Sequence, residues 1–188
     1  MRIFIRTVFV LAIFSMILPS ALLPTATFAQ RVPTQPAAEN TGNNSPRVGE
    51  RIGDWIFQCQ ALSASDTRCV IFQQLVNQKT RQPVLRATLA PLGAPKKIGL
   101  IVVAPLGIFL GTGIAGKIDE GEQFNFVLQR CTQRGCVAAT EVSDSMKAAL
   151  VKGNRLVVGF KPTANGKPVQ LGVSLKGVAA GLKALKVN

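Results

Sequence analysis

Trp55-Ile56-Phe57-Gln58-Cys59-Gln60 and Cys69-Val70-Ile71-Phe72-Gln73-Gln74, separated by a polar stretch that includes Ser63–Thr67, decide the fold. In the first segment Trp55, Phe57 and Cys59 alternate with Ile56, Gln58 and Gln60. Period two is the signature of a strand, because successive side chains point to opposite faces. Ile52–Gln60 and Arg68–Asn77 are therefore expected as consecutive strands, with Ser63–Thr67 as their turn. The alternation recurs downstream. In Val84–Ala90, residues Leu85, Ala87 and Leu89 oppose Val84, Arg86 and Thr88. Phe124, Phe126 and Leu128 oppose Asn125, Val127 and Gln129. Leu156–Phe160 and Val169–Leu175 flank an Asn165-Gly166 turn, and Val169, Leu171, Val173 and Leu175 share one face. Strands at these intervals argue a β-sandwich or barrel.

Two short helices are expected beside the strands. Ser143 or Asp144 can cap a helix running to about Val151, with Gly153 ending it. Val178–Lys186 reads as a second, although Gly181 weakens its propensity. Its Leu182 and Leu185 fall on one face and Lys183 and Lys186 on another, which suits docking on the core better than lying on a membrane. Ile98–Gly116 carries no charge and is long enough to be weighed as a membrane span. It also contains Pro105 and glycines at 99, 107, 111, 113 and 116, so it reads as two buried strands joined by a Pro105-Leu106-Gly107 turn. Its apolar character leaves room for a membrane-facing or partner-binding patch.

The four cysteines are Cys59, Cys69, Cys131 and Cys136. An even count in an exported chain reads as two disulfides, for which three connectivities exist. Cys59–Cys69 and Cys131–Cys136 are preferred because each pair flanks a hairpin turn, the second with Gly135 available for positive φ. A redox pair would sit two residues apart at a helix start, and a zinc site would show paired knuckles; neither pattern is present.

The export expectation comes from the N-terminus. Arg2 and Arg6 precede the apolar run Val8–Leu18, then Pro19, Pro24 and the small-residue site Thr27-Phe28-Ala29 before Gln30. That order is a cleavable secretory signal over residues 1–29. An uncleaved anchor is the alternative, and the two prolines favour processing. With no twin-arginine pair and no nearby cysteine, the general secretory route is expected, without a lipid anchor. Residues 30–48 hold Pro33, Pro36, Gly42 and Pro46 with little apolar content and read as a flexible linker. The remaining 49–188 forms the domain.

Composition narrows the chemistry. The chain has 22 Lys and Arg against 9 Asp and Glu, a net charge of +13, and no His. Absent His excludes Ser-His or Cys-His catalysis and His metal ligands. Asp119, Glu120 and Glu122 cluster at an expected turn and do not form a calcium loop. The glycines of 107–116 lack the following Gly-Lys-Ser/Thr of a phosphate loop. No catalytic residue, metal ligand or cofactor is indicated. The positive balance favours anionic partners, and with one Trp and no Tyr a nucleic-acid platform is not expected.

These motifs in order resemble the invasion-associated locus B family of exported Gram-negative bacterial proteins. Gly53-Asp54-Trp55 is followed by Cys59, then by Cys69 with Gln73 and Gln74. Pro105-Leu106-Gly107-Ile108-Phe109-Leu110 leads to Gly113, and Cys131 precedes Gly135-Cys136-Val137-Ala138. Leu150 and Gly153 follow, then Val173-Ser174-Leu175-Lys176-Gly177 and Gly181-Leu182-Lys183-Ala184-Leu185. The resemblance spans Gly53 to Leu185. It departs at Val178, where an aromatic is expected. It implies an immunoglobulin-like β-sandwich in the periplasm or outer envelope, and a link to host-cell invasion in some pathogenic members. It brings no established catalytic residues.

The expectation is therefore an all-β, immunoglobulin-like β-sandwich with one or two short helices, stapled by two disulfides. It is expected to be a non-enzymatic envelope protein in the periplasm, the outer membrane or outside the cell. Its partner is expected to be an envelope or host protein, or an anionic lipid or glycan surface. No transmembrane helix is expected in the mature chain. The alternative is a periplasmic enzyme or thiol-redox factor, resting on the four cysteines and the acidic turn.

Overall fold

The computed structural model describes residues 45–92 and 97–186. The signal over 1–29 and most of the linker over 30–48 lie outside the described residues. Ten strands run β1 (Arg51–Ile52), β2 (Trp55–Ala61), β3 (Thr67–Val76), β4 (Pro83–Leu92), β5 (Lys97–Ala104), β6 (Ile114–Ile118), β7 (Gln123–Thr132), β8 (Gly135–Val142), β9 (Arg155–Phe160) and β10 (Val169–Ser174). Helix α1 (Asp144–Lys152) lies between β8 and β9, and α2 (Val178–Ala184) follows β10. All pairings are antiparallel, in the order β1-β2-β3-β4-β5-β8-β7-β6-β9-β10. The protein is mostly β with two short helices, as its alternation predicts.

Strand β7 turns the corner between two layers. Its first residues pair with β6, with Phe126 opposite Ile114. From Val127 onward it pairs with β8, and the register slips between Leu128 and Arg130. An inserted residue bends a strand and raises its twist, which lets one strand serve both layers. Leu85, Ala87, Leu100, Val102 and Ala138 from one layer share a single buried cluster with Ile114, Leu156, Val158 and Val173 from the other. Burying each large aliphatic side chain contributes about 1.5–3 kcal/mol before chain entropy is set against it.

Both helices close on that core. Ser143 caps α1, its hydroxyl accepting from the Met146 N–H at 3.2 Å. Leu150 of α1 and Val178, Leu182 and Leu185 at α2 join the buried cluster, while Lys183 and Lys186 stay exposed. The C-terminal segment thus docks on the core. Val178, where the resemblance puts an aromatic, is fully buried. Gly181, a poor helix former, sits where a Cβ would come 2.5 Å from Ile71 Cδ1, so close packing of helix on strand requires it.

Two local expectations need correction. Ile52–Gln60 is not one strand. Gly53 at φ +63 turns the chain, and Ile52 pairs back onto Trp55. The apolar stretch Ile98–Gly116 does hold two strands, but Pro105–Gly107 is not a hairpin between them. Strand β5 pairs with β4 and β8, whereas β6 pairs with β7 and β9, so residues 105–113 cross from one layer to the other. Gly153 ends α1 as expected, at φ −75, in extended backbone that any residue adopts. Its need is for space, because a Cβ would crowd Ala149 O at 2.7 Å and Asp119 Oδ2 at 2.8 Å.

Candidate interaction surface

Many residues that carry the family resemblance meet at one place, and their work there is structural. The Ser174 carbonyl accepts from Trp55 Nε1 at 2.9 Å and Gln73 Nε2 at 3.3 Å. The Ser174 N–H donates to Gln73 Oε1 at 3.0 Å, and Gln73 Nε2 also donates to Asp54 O at 3.1 Å. Asp54 N–H donates to Lys176 O at 3.0 Å. Gly53 and Gly177 both take positive φ and leave no room for a Cβ, against Lys176 O and Ile52 O respectively. These bonds tie the two ends of the strand order together. All polar atoms of the buried Gln73 amide are satisfied, so it presents nothing to a ligand.

The cysteines form two disulfides, Cys59–Cys69 across β2 and β3 and Cys131–Cys136 across β7 and β8. Each joins directly opposed residues of a hairpin. No free cysteine is found among the described residues. Chain-entropy arithmetic gives about 3 kcal/mol for the longer loop and about 2 kcal/mol for the shorter.

The acidic turn is also accounted for. Asp119 Oδ2 accepts from Asn154 N–H and Oδ1 from Arg155 N–H, both at 2.9 Å, which joins this turn to the α1–β9 connection. Glu120 pairs with Lys117 at 3.1 Å. Glu122 is exposed, and the three residues do not converge on a common point that would hold a cation.

The surface with chemistry to offer is the outer face of the layer β2–β5, β8 and β7, toward its hairpin end. Cross-strand register aligns Gln74, Arg86, Val103, Val137 and Arg130 in one row across five strands. The next row is Ile56, Phe72, Thr88, Ile101, Ala139 and Val127. Outward positions on a solvated sheet are ordinarily polar. Here apolar side chains fill the middle of the first row and, Thr88 aside, all of the second, and Val127 is 66% exposed. Arg86 and Arg130 bracket the valines from three strand spacings apart, about 14 Å.

Arg86 is held in place. Its guanidinium carbon lies 3.8 Å from the Phe72 ring centroid, a cation–π stack across β3 and β4. Burial pulls its pKa below the ordinary arginine value, yet a guanidinium so far above neutrality stays charged. Beside it an open groove of about 740 Å³ is lined by Gln74, Arg86, Val103, Leu106, Gln133 and Arg134 among others. Arg134 sits in the β7–β8 turn that the Cys131–Cys136 disulfide closes. No carboxylate lines the groove, and residues 74–86, 103–113 and 130–136 contain no Asp or Glu. Those segments also carry Lys79 and Arg81. Among the described residues, Arg86, Arg130 and Arg134 form no ion pair. The arrangement can receive phosphate, sulfate or carboxylate groups in guanidinium forks, beside an apolar floor.

Sequence reasoning flagged the charge-free stretch that supplies Ile101, Val103 and Leu106, but missed the arginines. The only local signal of Arg86 and Arg130 is a cation inside a strand, that of Arg134 a cation in a turn, and the row becomes visible once β8 and β7 are placed beside β5.

Comparison with known proteins agrees with the motif order. The family model described as "Invasion associated locus B (IalB) protein" matches residues 55–186. Two invasion protein B homologues of Brucella abortus, from strain 2308 and from biovar 1 strain 9-941, are each 31% identical over 137 residues. Each alignment covers 73% of this chain and 78% of the relative. The crystal structure of invasion associated protein B from Bartonella henselae superposes with a TM-score of 0.65 at 23% identity. That superposition covers 73% of this chain and 93% of the other, and it speaks for the fold. The chain belongs to the invasion associated locus B family.

Proposed function

We propose that this protein is an exported, non-enzymatic envelope module that binds an anionic partner surface, and that in bacteria which contact host cells such binding contributes to invasion. The partner is an envelope or host molecule presenting phosphate, sulfate or carboxylate groups. One observation carries the reading. The hairpin end sets Arg86 and Arg134 in the lining of an open groove that holds no carboxylate, with Arg130 in the same cross-strand row as Arg86. A cation cluster without neighbouring acids focuses a field that attracts anions and repels competing cations. The absence of His and the engagement of all four cysteines in disulfides agree with binding in place of catalysis.

Retention on immobilised heparin, a sulfated glycan, tests the reading. The protein is expected to bind at low salt, to elute as salt rises, and to elute at the same salt at about pH 6 and pH 8. Screening weakens such contacts, and the chain has no His to titrate in that range. Arg86 adds no pH dependence there, because its lowered pKa costs charge only far on the alkaline side. Failure to bind at low salt, or retention indifferent to salt, would sink the proposal.

A further inference from the structure

The crossover 105–113 between the two layers is an unusual stretch of surface. Leu106 is 57% exposed, Phe109 39% and Leu110 51%. Three large apolar side chains on one connecting segment are costly to leave in water, and such segments are normally polar. The segment is nonetheless firmly held. Ile108 packs against the core, and Phe109 N–H donates to Lys161 O at 2.8 Å. Thr112 Oγ1 donates to Phe109 O at 3.3 Å across the short turn Leu110–Thr112. A ring tucked inward would explain Phe109, but Phe109 folds over Gly111, where a Cβ would meet its ring at 2.8 Å, and stays partly in solvent.

The surroundings say what would cover it. Leu106 lines the same groove as Arg86 and Arg134. The crossover and the hairpin segments around the groove contain cations and no carboxylate. Exposed Leu106 beside the Arg86 and Arg134 guanidinium groups, with Phe109 and Leu110 further along the same crossover, matches the boundary of an anionic bilayer. There acyl chains accept the apolar groups while headgroup phosphates sit level with the cations. A soluble protein partner would satisfy the apolar groups equally, but it gives no reason for charge of one sign. From this geometry we infer that the protein docks on an anionic phospholipid bilayer, with Leu106, Phe109 and Leu110 entering the acyl boundary and Arg86, Arg130 and Arg134 engaging phosphates. The inference rests on the anionic-surface reading above and names its partner.

Vesicles test it with residues 30–188, the chain left when the expected signal is removed. Sedimentation with phosphatidylglycerol vesicles is expected to be strong, and sedimentation with phosphatidylcholine vesicles weak. The charge variant Arg86→Gln/Arg130→Gln/Arg134→Gln is expected to lose about 100-fold in partitioning, at roughly fivefold per cation near the surface. The apolar variant Leu106→Ser/Phe109→Ser/Leu110→Ser is expected to lose about tenfold or more while remaining folded, with a modestly lowered melting temperature from the half-buried apolar surface removed. A second readout follows the loop itself. The protein's one Trp, Trp55, is buried, so Phe109→Trp adds an isolated fluorophore on the crossover. Its emission is expected to shift to the blue on phosphatidylglycerol vesicles and to be quenched by brominated acyl chains. Vesicle binding that survives the apolar variant, or emission from the Phe109→Trp variant that is indifferent to brominated lipid, overturns insertion. If vesicles fail while heparin retention persists, lipid docking falls and the anionic-surface reading stands. If both fail, both fall. A purified host or envelope protein bound through the triad in the absence of vesicle binding also overturns lipid docking.

Discussion

Gln73 is the residue on which the closure of the sandwich turns. Its amide both donates to and accepts from the Ser174 peptide and donates to Asp54 O, from a position almost wholly buried. Replacing it with Leu keeps the volume roughly but leaves the Ser174 N–H without its partner in a low-dielectric setting. An orphaned buried donor costs about 1–3 kcal/mol. Gln73→Leu is therefore expected to lower the urea midpoint by an amount equivalent to about 2 kcal/mol, with the denaturant slope unchanged. Gln74→Leu, one residue on and exposed, is expected to cost well under half of that. Equal losses would mean that the Ser174 contact is not what matters. The sequence marks both glutamines alike. Alternation puts Gln73 on the Trp-side face, but its partner lies 101 positions away, which no local pattern encodes.

Among the elements, the Cys131–Cys136 hairpin joins stability to binding. The disulfide clamps the turn from which Arg134 extends and the strand end bearing Arg130. Substituting both cysteines with Ser is expected to cost about 2 kcal/mol in urea unfolding, from loop-closure entropy alone. It should also lower the salt concentration at which the protein leaves heparin, since a frayed hairpin presents its arginines with more freedom to lose on binding. The corresponding change at Cys59 and Cys69 is expected to cost about 3 kcal/mol and to leave heparin elution where it was, because neither cysteine nor the turn between them lines the groove. Elution shifting in both variants, or in neither, would uncouple the hairpin from binding. The strands themselves were legible because burial on one face imposes period two. The crossover 105–113 was legible only in part, since Pro105 and Gly107 mark where β5 ends but nothing local says that the chain then changes layer instead of pairing back.

Across the whole molecule, the question is whether net charge or its placement governs recognition. Total charge was readable from composition, and it favoured anionic partners without saying where they would bind. Placement depends on the order β4-β5-β8-β7, which brings Arg86 and Arg130 into one row from positions far apart in the chain. Neutralising three cations in two different places separates the possibilities. Arg86→Gln/Arg130→Gln/Arg134→Gln removes the groove cluster. Lys152→Gln/Lys176→Gln/Lys183→Gln removes the same charge from exposed positions at the ends of α1 and β10 and on α2. Arg86 and Arg134 line one groove and so act on a bound polyanion together, whereas the three lysines lie outside that groove. The groove variant is expected to leave heparin at less than about half the salt needed for the native protein, while the lysine variant shifts only slightly. Shifts of the same size in both variants would mean that heparin reads only the overall positive charge of the chain, and the row of arginines would then have no special part in binding.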